Sequence, residues 1–434
     1  MGIIDKLKGA FKKKPKDEEV VSAEKKAAAA PSCSCCHDEP AAAPAAAPAP
    51  AAAAPAAAPA AAPAGRPTDL SVYAKTDALQ PIPGYVPGLG APEGGKIKIA
   101  LYWCAACGGC DVSVLDSDEK VLNIGDMADI MMWPVASDGK EKDIEALEDG
   151  EITVALINGA IRNSENEHMA KLLRKKSKLV VAYGTCAMFG GTPALANLAQ
   201  GAQDILDYVY NQTPTSRDFQ AAYHSDSPVI PRTEIEVPEG TLTLPELYDT
   251  VKSLDQVIDV DYSVPGCPPT QETLGALLDA VVAFVYNGTP LPPKGTVIGV
   301  TKTTMCDECP RHKENRRITE IKDPYQVDVD PDLCLMDQGI LCLGSATVGG
   351  CGAKCTRVGQ PCRGCYGPTE VVTEQGASIF TAVASLFPVT DDDPTCKEDK
   401  IIDIMSSIKD PLGYFYAFTM SKALIKRAVK EGGQ

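Results

Sequence analysis

Ile97-Lys98-Ile99-Ala100-Leu101-Tyr102-Trp103-Cys104-Ala105-Ala106-Cys107-Gly108-Gly109-Cys110 is the stretch that decides the fold. Its first half is apolar, as buried parallel strands are. Its second half turns at once into glycine and cysteine. Asp111 is then a candidate cap for a helix opening on Val112, Val114 and Leu115. The same alternation recurs downstream. Ile152-Thr153-Val154-Ala155-Leu156-Ile157 is a second apolar, β-branched run, and Ser164 with Glu167 makes a capping box for a helix carrying Met169, Leu172 and Leu173. Leu179-Val180-Val181-Ala182-Tyr183 is a third strand, ended by Gly184-Thr185-Cys186. Residues 199–255 are polar and turn-rich and read as an insertion. Val257-Ile258-Asp259-Val260 reads as a further strand before Pro265-Gly266-Cys267-Pro268-Pro269, with a helix from about Gln271 to Tyr286. Strand alternating with helix argues an α/β domain built on a parallel sheet.

The cysteines of this part obey a positional rule. Cys104, Cys107 and Cys110, then Cys186, then Cys267 each sit just past the end of an expected strand. In open α/β sheets those ends converge on the crevice where ligands bind, so three loops far apart in the chain can deliver thiolates to one point. The adjoining glycines let backbone N–H groups approach sulfur. Scattered core cysteines would follow no such rule. The Gly-rich loop lacks both G-x-G-x-x-G and the Lys-Ser/Thr of a phosphate loop, which sets a nucleotide site aside.

A second stretch is denser still. Cys306, Cys309, Cys334, Cys342, Cys351, Cys355, Cys362 and Cys365 form two quartets, each with one C-x2-C pair. Four thiolates are what one [4Fe–4S] cluster requires. Disulfides are disfavoured because the chain is large and nothing directs secretion. Structural zinc also uses C-x2-C pairs, but zinc ribbons bring two close pairs together and each quartet here has one. Spacing favours iron–sulfur.

At 434 residues the chain has room for two domains and a tail. Its 17 cysteines, an odd number, suit a reduced, metal-binding, cytoplasmic protein. A formal charge of −17 argues against a nucleic-acid partner, since phosphate binding needs a basic face. No run of eighteen apolar residues predicts a transmembrane helix, and neither a twin-arginine pair nor an apolar signal core stands near the start. Residues 1–16 put Ile3, Ile4, Leu7 and Phe11 against clustered lysines, a pattern for surface docking or for a solvated tail. Lys6 stands where a myristoylation motif wants Ser or Thr. Cys33, Cys35, Cys36 and His37 form a small ligand-rich group, and residues 40–64 are almost wholly Ala and Pro, a semi-rigid spacer reaching roughly 75 Å if extended. The expected divisions are a basic, Cys-rich head at 1–37, a linker and lead-in at 38–95, an α/β domain at 96–295 and a cysteine-rich domain at 296–434.

In order and spacing, Cys107-Gly108-Gly109-Cys110, Gly184-Thr185-Cys186-Ala187, Pro265-Gly266-Cys267-Pro268-Pro269 and the run from Cys306 to Cys365 resemble the [NiFe]-hydrogenase small-subunit family. Asp410-Pro411-Leu412-Gly413-Tyr414-Phe415-Tyr416 is similar to the C-terminal segments of its cytoplasmic members. The resemblance implies a flavodoxin-like domain followed by an irregular iron–sulfur domain with few helices. It also implies a large-subunit partner carrying a Ni–Fe centre. Carried over by position, Cys107, Cys110, Cys186 and Cys267 match the proximal ligands, Cys306, Cys309, Cys334 and Cys342 the distal set, and Cys351, Cys362 and Cys365 the medial set. Cys355 supplies a fourth medial ligand that better-known uptake members lack, and Cys306 stands where they have His. Three [4Fe–4S] clusters are therefore expected. Ala106 replaces a Glu that many members carry, and Cys104 is an extra thiol. The all-cysteine pattern resembles the methyl-viologen-reducing, heterodisulfide-reductase-associated type, whose acceptor would be an iron–sulfur or flavin subunit. The rival readings are a quinone-reductase-like iron–sulfur subunit and a zinc-stabilised assembly protein. No catalytic acid or base is expected in this chain; His168, His224 and His312 have no motif support.

Overall fold

The computed structural model describes residues 90–117, 120–199, 201–223, 230–387 and 397–425. The head at 1–37 with Cys33, Cys35, Cys36 and His37, the Ala/Pro run, and His224 lie outside the described residues.

Chain order begins with β1 (Ile97–Trp103), α1 (Gly109–Leu115), α2 (Lys120–Met127), β2 (Ala128–Met132), α3 (Glu141–Glu145) and β3 (Ile152–Asn158). It continues with β4 (Ile161–Asn163), α4 (Ser164–Lys176), β5 (Ser177–Tyr183) and α5 (Thr185–Phe189). β1, β2, β3 and β5 join a later strand, β9 (Tyr262–Val264), in a parallel sheet of order β2-β1-β3-β5-β9. That is the flavodoxin-like order, with its switch point between β1 and β3. Successive side chains point to opposite faces of the sheet. Ala100, Ala155, Ile157 and Val180 meet Ile144 of α3 and Met169 and Leu173 of α4 on one face. Ile99, Leu101, Val154 and Val181 meet Val114 of α1 and Ile124 and Met127 of α2 on the other. Burying each such side chain contributes about 1.5–3 kcal/mol.

Two local expectations shift, and one strand carries no signal in the sequence. The helix expected to start under Ser164 is capped by Asn163, whose extended backbone lets its side chain accept from the Asn166 N–H at 2.8 Å. The Ser164 hydroxyl instead accepts from the Glu246 N–H at 3.0 Å. Val257–Val260 is not a strand: Ser253 and Gln256 close a tight turn just before it, and the pairing with β5 falls to β9. β2 is an edge strand with a single β-branched residue, Ile130, and so lacks the apolar signature of its neighbours.

The insertion holds α6 (Ala202–Asp207), α7 (Pro214–Tyr223), a hairpin of β6 (Glu234–Val237) and β7 (Gly240–Thr243), and β8 (Leu247–Lys252), which returns to pair antiparallel with β4. After β9 comes α8 (Gln271–Asn287), capped by the Thr270 hydroxyl; its Leu274 and Leu277 pack on the second sheet face. From there the chain is irregular. Its helices are α9 (Met305–Glu308), α10 (Lys354–Arg357), α11 (Gln375–Ala384), α12 (Lys397–Ser406) and α13 (Pro411–Phe415), with three 3-10 turns between α9 and α10 and one after α13. α13 starts as its sequence dictates: Pro411 is preorganised for the first turn and Asp410 accepts from the Gly413 N–H at 2.9 Å. Phe415 meets Phe380 edge-to-face at 5.7 Å. The C-terminal segment then reaches back to the sheet. Gly191 N–H donates to the Phe418 carbonyl at 3.2 Å, Ser421 Oγ to the Val251 carbonyl at 2.8 Å, and Gln256 Nε2 to the Ser421 carbonyl at 3.0 Å. No helix among the described residues is long and apolar enough to cross a membrane.

Candidate metal centre

The loops after β1, β5 and β9 lie at one edge of the sheet and carry Cys107, Cys110, Cys186 and Cys267. Cys110 and Cys186 are buried, while Cys107 and Cys267 are exposed. The four thiols feel one another. Burial pushes Cys110 up from the ordinary thiol range, and Cys186, Cys267 and Cys107 add to it. Burial, then Cys267 and Cys107, raise Cys186 to about 12. Backbone N–H groups point at sulfur here: Gly109 to Cys107 at 3.4 Å, and Thr192 to Cys186. Gly184 is held at φ 88° and ψ 162°, and a Cβ on it would lie 2.3 Å from Cys110 Sγ. Only glycine fits.

Asp111 is not the helix cap. Gly108, left-handed at φ 85°, starts α1 at Gly109, so Asp111 falls in the first turn and faces inward. Its buried carboxylate accepts from Trp133 Nε1 at 2.9 Å and Asn158 Nδ2 at 2.8 Å, pinning α1 to the ends of β2 and β3. Cys104 stays apart from the four. It is buried in the core, with its sulfur 3.9 Å from the Asn166 carbonyl.

A second group gathers Cys351, Cys355, Cys362 and Cys365. Burial first, then Cys267, Cys351 and Cys355, raise Cys365 to about 12; burial, with Cys365 and Cys351 in the same direction, raises Cys362 to about 12. The Glu308 carboxylate accepts from the N–H groups of Gly350 at 2.5 Å and Gly352 at 2.8 Å, which fixes the loop bearing Cys351. Ala353, in the left-handed region at φ 53°, turns its N–H toward Cys351 sulfur. A non-glycine residue there costs of order 1–3 kcal/mol and persists where its surroundings hold it.

A third group, Cys306, Cys309, Cys334 and Cys342, lines a cavity of about 250 Å³ together with Arg311 and Lys313. Gly344 closes it, since a Cβ there would meet Cys306 Sγ at 3.0 Å and Met305 Cε at 2.3 Å. The Arg311 guanidinium donates to the carbonyls of Thr356, Asp330 and Leu333, tying the segments around Cys355 and Cys334 together. Burial raises Cys306, and Lys313 offsets only part of that rise.

The groups adjoin. Cys267 stands near enough to Cys365 to raise its thiol, and Thr185, beside Cys186, donates to the Cys365 carbonyl. Cys362 N–H donates to Cys342 Sγ at 3.2 Å. All twelve expected cysteines therefore fall into three neighbouring groups in the order first, second, third.

Spacing says what these groups can hold. A single tetrahedral zinc with Zn–S near 2.3 Å puts its sulfurs about 3.8 Å apart. Among the described residues, no three cysteine thiols lie within 4.8 Å of one another. The thiols are spread too widely for one ion and suit a polynuclear centre. Burial raises the Cys110, Cys186, Cys342, Cys362 and Cys365 thiols, so a metal bound there would displace protons. His168 and His312 are surface residues paired with Glu141 at 2.6 Å and Glu314 at 3.4 Å. Sequence reasoning gave Asp111 a capping role it does not have and Thr185 no role of its own, and it missed Glu308, Arg311 and Lys313, because no motif marks residues that act through long-range contacts.

The family described as NADH ubiquinone oxidoreductase, 20 Kd subunit, matches residues 107–281, a stretch that spans the first group and stops before the other two. The G subunit of the F420-non-reducing hydrogenase of Methanothermobacter marburgensis is 37% identical over 345 residues, 78% of this chain and 99% of that protein. This chain belongs to the family of F420-non-reducing hydrogenase G subunits. A second G subunit, named for its iron–sulfur content, is that of the F420-non-reducing hydrogenase of Archaeoglobus profundus. It is 35% identical over 339 residues, covering 76% of this chain and 98% of its own. The delta subunit of the NAD-reducing hydrogenase HoxS of Cupriavidus necator is 27% identical over 204 residues, 47% of this chain and 85% of that one. As a member of the G-subunit family, the chain is part of a hydrogenase, and the quinone-reductase likeness is confined to the region around its first group.

Proposed function

We propose that this chain is the electron-transfer subunit of a cytoplasmic [NiFe] hydrogenase, with a [4Fe–4S] cluster at each of the three cysteine groups. The ligand sets are Cys107, Cys110, Cys186 and Cys267; Cys351, Cys355, Cys362 and Cys365; and Cys306, Cys309, Cys334 and Cys342. Residues 96–295 would carry the first set and 296–434 the other two. When bound, the clusters supply one-electron steps between a large subunit that oxidises H2 at Ni–Fe and an accepting iron–sulfur or flavin subunit of the heterodisulfide-reductase type. What supports this most is the adjacency of the three groups, joined by the bond from the Thr185 hydroxyl to the Cys365 carbonyl and by the N–H···S bond from Cys362 to Cys342. The chain's own part is to bury the sulfurs, aim N–H groups at them and exclude side chains at Gly184 and Gly344. The wide thiol spacing speaks against the zinc reading. The eight cysteines from Cys306 to Cys365, all beyond residue 281, speak against a quinone-reductase subunit.

The test is metal and acid-labile sulfide analysis of the intact complex and of the separated chain. About twelve irons per chain are expected, with nickel in the partner and no H2 oxidation by the chain alone. Iron near one cluster's worth, or activity from the nickel-free chain, refutes the proposal.

A further inference from the structure

Thr356 stands where the second and third groups meet. It follows Cys355 of the second group in α10, and it lines the cavity shared by Cys306, Cys309, Cys334 and Cys342. Only 2% of it is exposed. The Arg311 guanidinium donates to its carbonyl at 2.8 Å and holds its backbone in place. Its hydroxyl oxygen lies 3.2 Å from Cys309 Sγ and 3.1 Å from the Ala353 carbonyl oxygen. With Cys309 as a thiol, the S–H donates to the hydroxyl and the hydroxyl donates on to Ala353. A bound metal takes the place of the thiol proton. The hydroxyl hydrogen is then the one left between an anionic sulfur and a neutral carbonyl, and hydrogen bonds to ionised acceptors are the stronger. The Ala353 carbonyl can spare it, because the Arg357 N–H also donates there at 3.2 Å.

We propose that Thr356 is a positioning residue that raises the reduction potential of the third site by donating its hydroxyl hydrogen to Cys309 sulfur. The inference rests on reading that site as an iron–sulfur centre. Reduction adds negative charge to such a centre, and a donor at a ligating sulfur stabilises the reduced state over the oxidised one. Burial strengthens the bond and keeps water from standing in for the hydroxyl. The third group is the last of the series, so a donor there eases the step outward from the second.

The experiment is an EPR-monitored redox titration of the intact complex, purified anaerobically, for wild type, Thr356→Val and Thr356→Ser, with iron counted in each. Val keeps the shape and removes the donor, whereas Ser keeps the donor. Cys309→Ser changes a ligand of the third site, so the signal it alters or abolishes is the one belonging there. In Thr356→Val the midpoint of that signal should move negative. At the wild-type midpoint its reduced-to-oxidised ratio should fall about fivefold, equal to about 40 mV for one electron. The other two midpoints should stay put, and Ser should hold most of the wild-type value. Unchanged midpoints with full iron overturn the proposal, as does an equal shift in Val and Ser, which would make the effect one of packing. Loss of about four irons in either variant overturns it too, since Thr356 would then hold the site together rather than tune it. Wild type lacking a third iron–sulfur signal and four of the twelve irons would instead defeat the underlying reading, and the wild-type iron count tells the two failures apart.

Discussion

Gly184→Ala tests whether the first site depends on a backbone that only glycine can adopt. Its φ of 88° and ψ of 162° lie in a region essentially closed to other residues, at a cost of about 1–3 kcal/mol. The new methyl group would also stand 2.3 Å from Cys110 Sγ and 3.5 Å from the Gly266 carbonyl oxygen, so sulfur or backbone must move. Over-packing of this kind costs about 1–3 kcal/mol. Together these give about 2–6 kcal/mol, a large share of the 5–15 kcal/mol typical of a folded protein. Gly275→Ala is the control. Gly275 sits inside α8 with nothing within 4 Å of an added Cβ, so the change should stabilise by about 1 kcal/mol. Denaturation midpoints and iron content, measured on both variants, give the answer. Gly184→Ala should unfold earlier and lose about four irons. Full iron and wild-type stability in that variant would refute the reasoning.

Cys355→Ala should turn the second site into a three-iron centre with a new EPR signal in the oxidised protein, since three ligands remain; an unchanged spectrum means Cys355 is not a ligand. Asp261 offers a pH test. Burial pushes its carboxyl up, but hydrogen bonds from Lys294, Arg174 at 2.6 Å and the Val180 N–H at 2.8 Å outweigh that and leave it below the usual carboxylate range. A carboxyl lowered in the folded state stabilises above its unfolded value of about 3.9 and loses that contribution as pH falls through the folded value. Asp261→Asn should therefore cost about 3 kcal/mol at neutral pH. The gap to wild type should narrow on acidification, and a gap that stays constant down to about pH 3 would sink the assignment.

The parts of this fold that could be read from the sequence are those in which local chemistry and tertiary demand agree. β1, β3 and β5 are buried on both faces and show it as apolar runs. The grouping of the cysteines was legible for a similar reason, because their spacing leaves a mark that no packing role would. Where two local signals compete, a distant contact decides. Asn163 and Ser164 are both good caps, and the bond from the Glu246 N–H takes Ser164 out of contention. Val257–Val260 has the β-branched content of a strand, yet the turn closed by Ser253 displaces the pairing to Tyr262–Val264. Glu308, Arg311 and Lys313 were illegible because charged residues in a loop look alike until the fold sets their neighbours.

The return of the C-terminal segment to the sheet sets a clock on maturation. Gly191, which follows the Cys186 turn so closely that a Cβ on it would meet Cys186 Sγ at 2.4 Å, is anchored by the Phe418 carbonyl. The last thiol of the first group, Cys267, leaves the ribosome long before that anchor is made. At 5–20 residues per second, the interval is on the order of 10–30 s. For that time the first site has all its thiols and an unpinned loop, open to oxidation or to a wrong metal. A carrier that protects those sulfurs, or delivers iron only after release, would act in that window, and a chain cut short before Phe418 would never leave it.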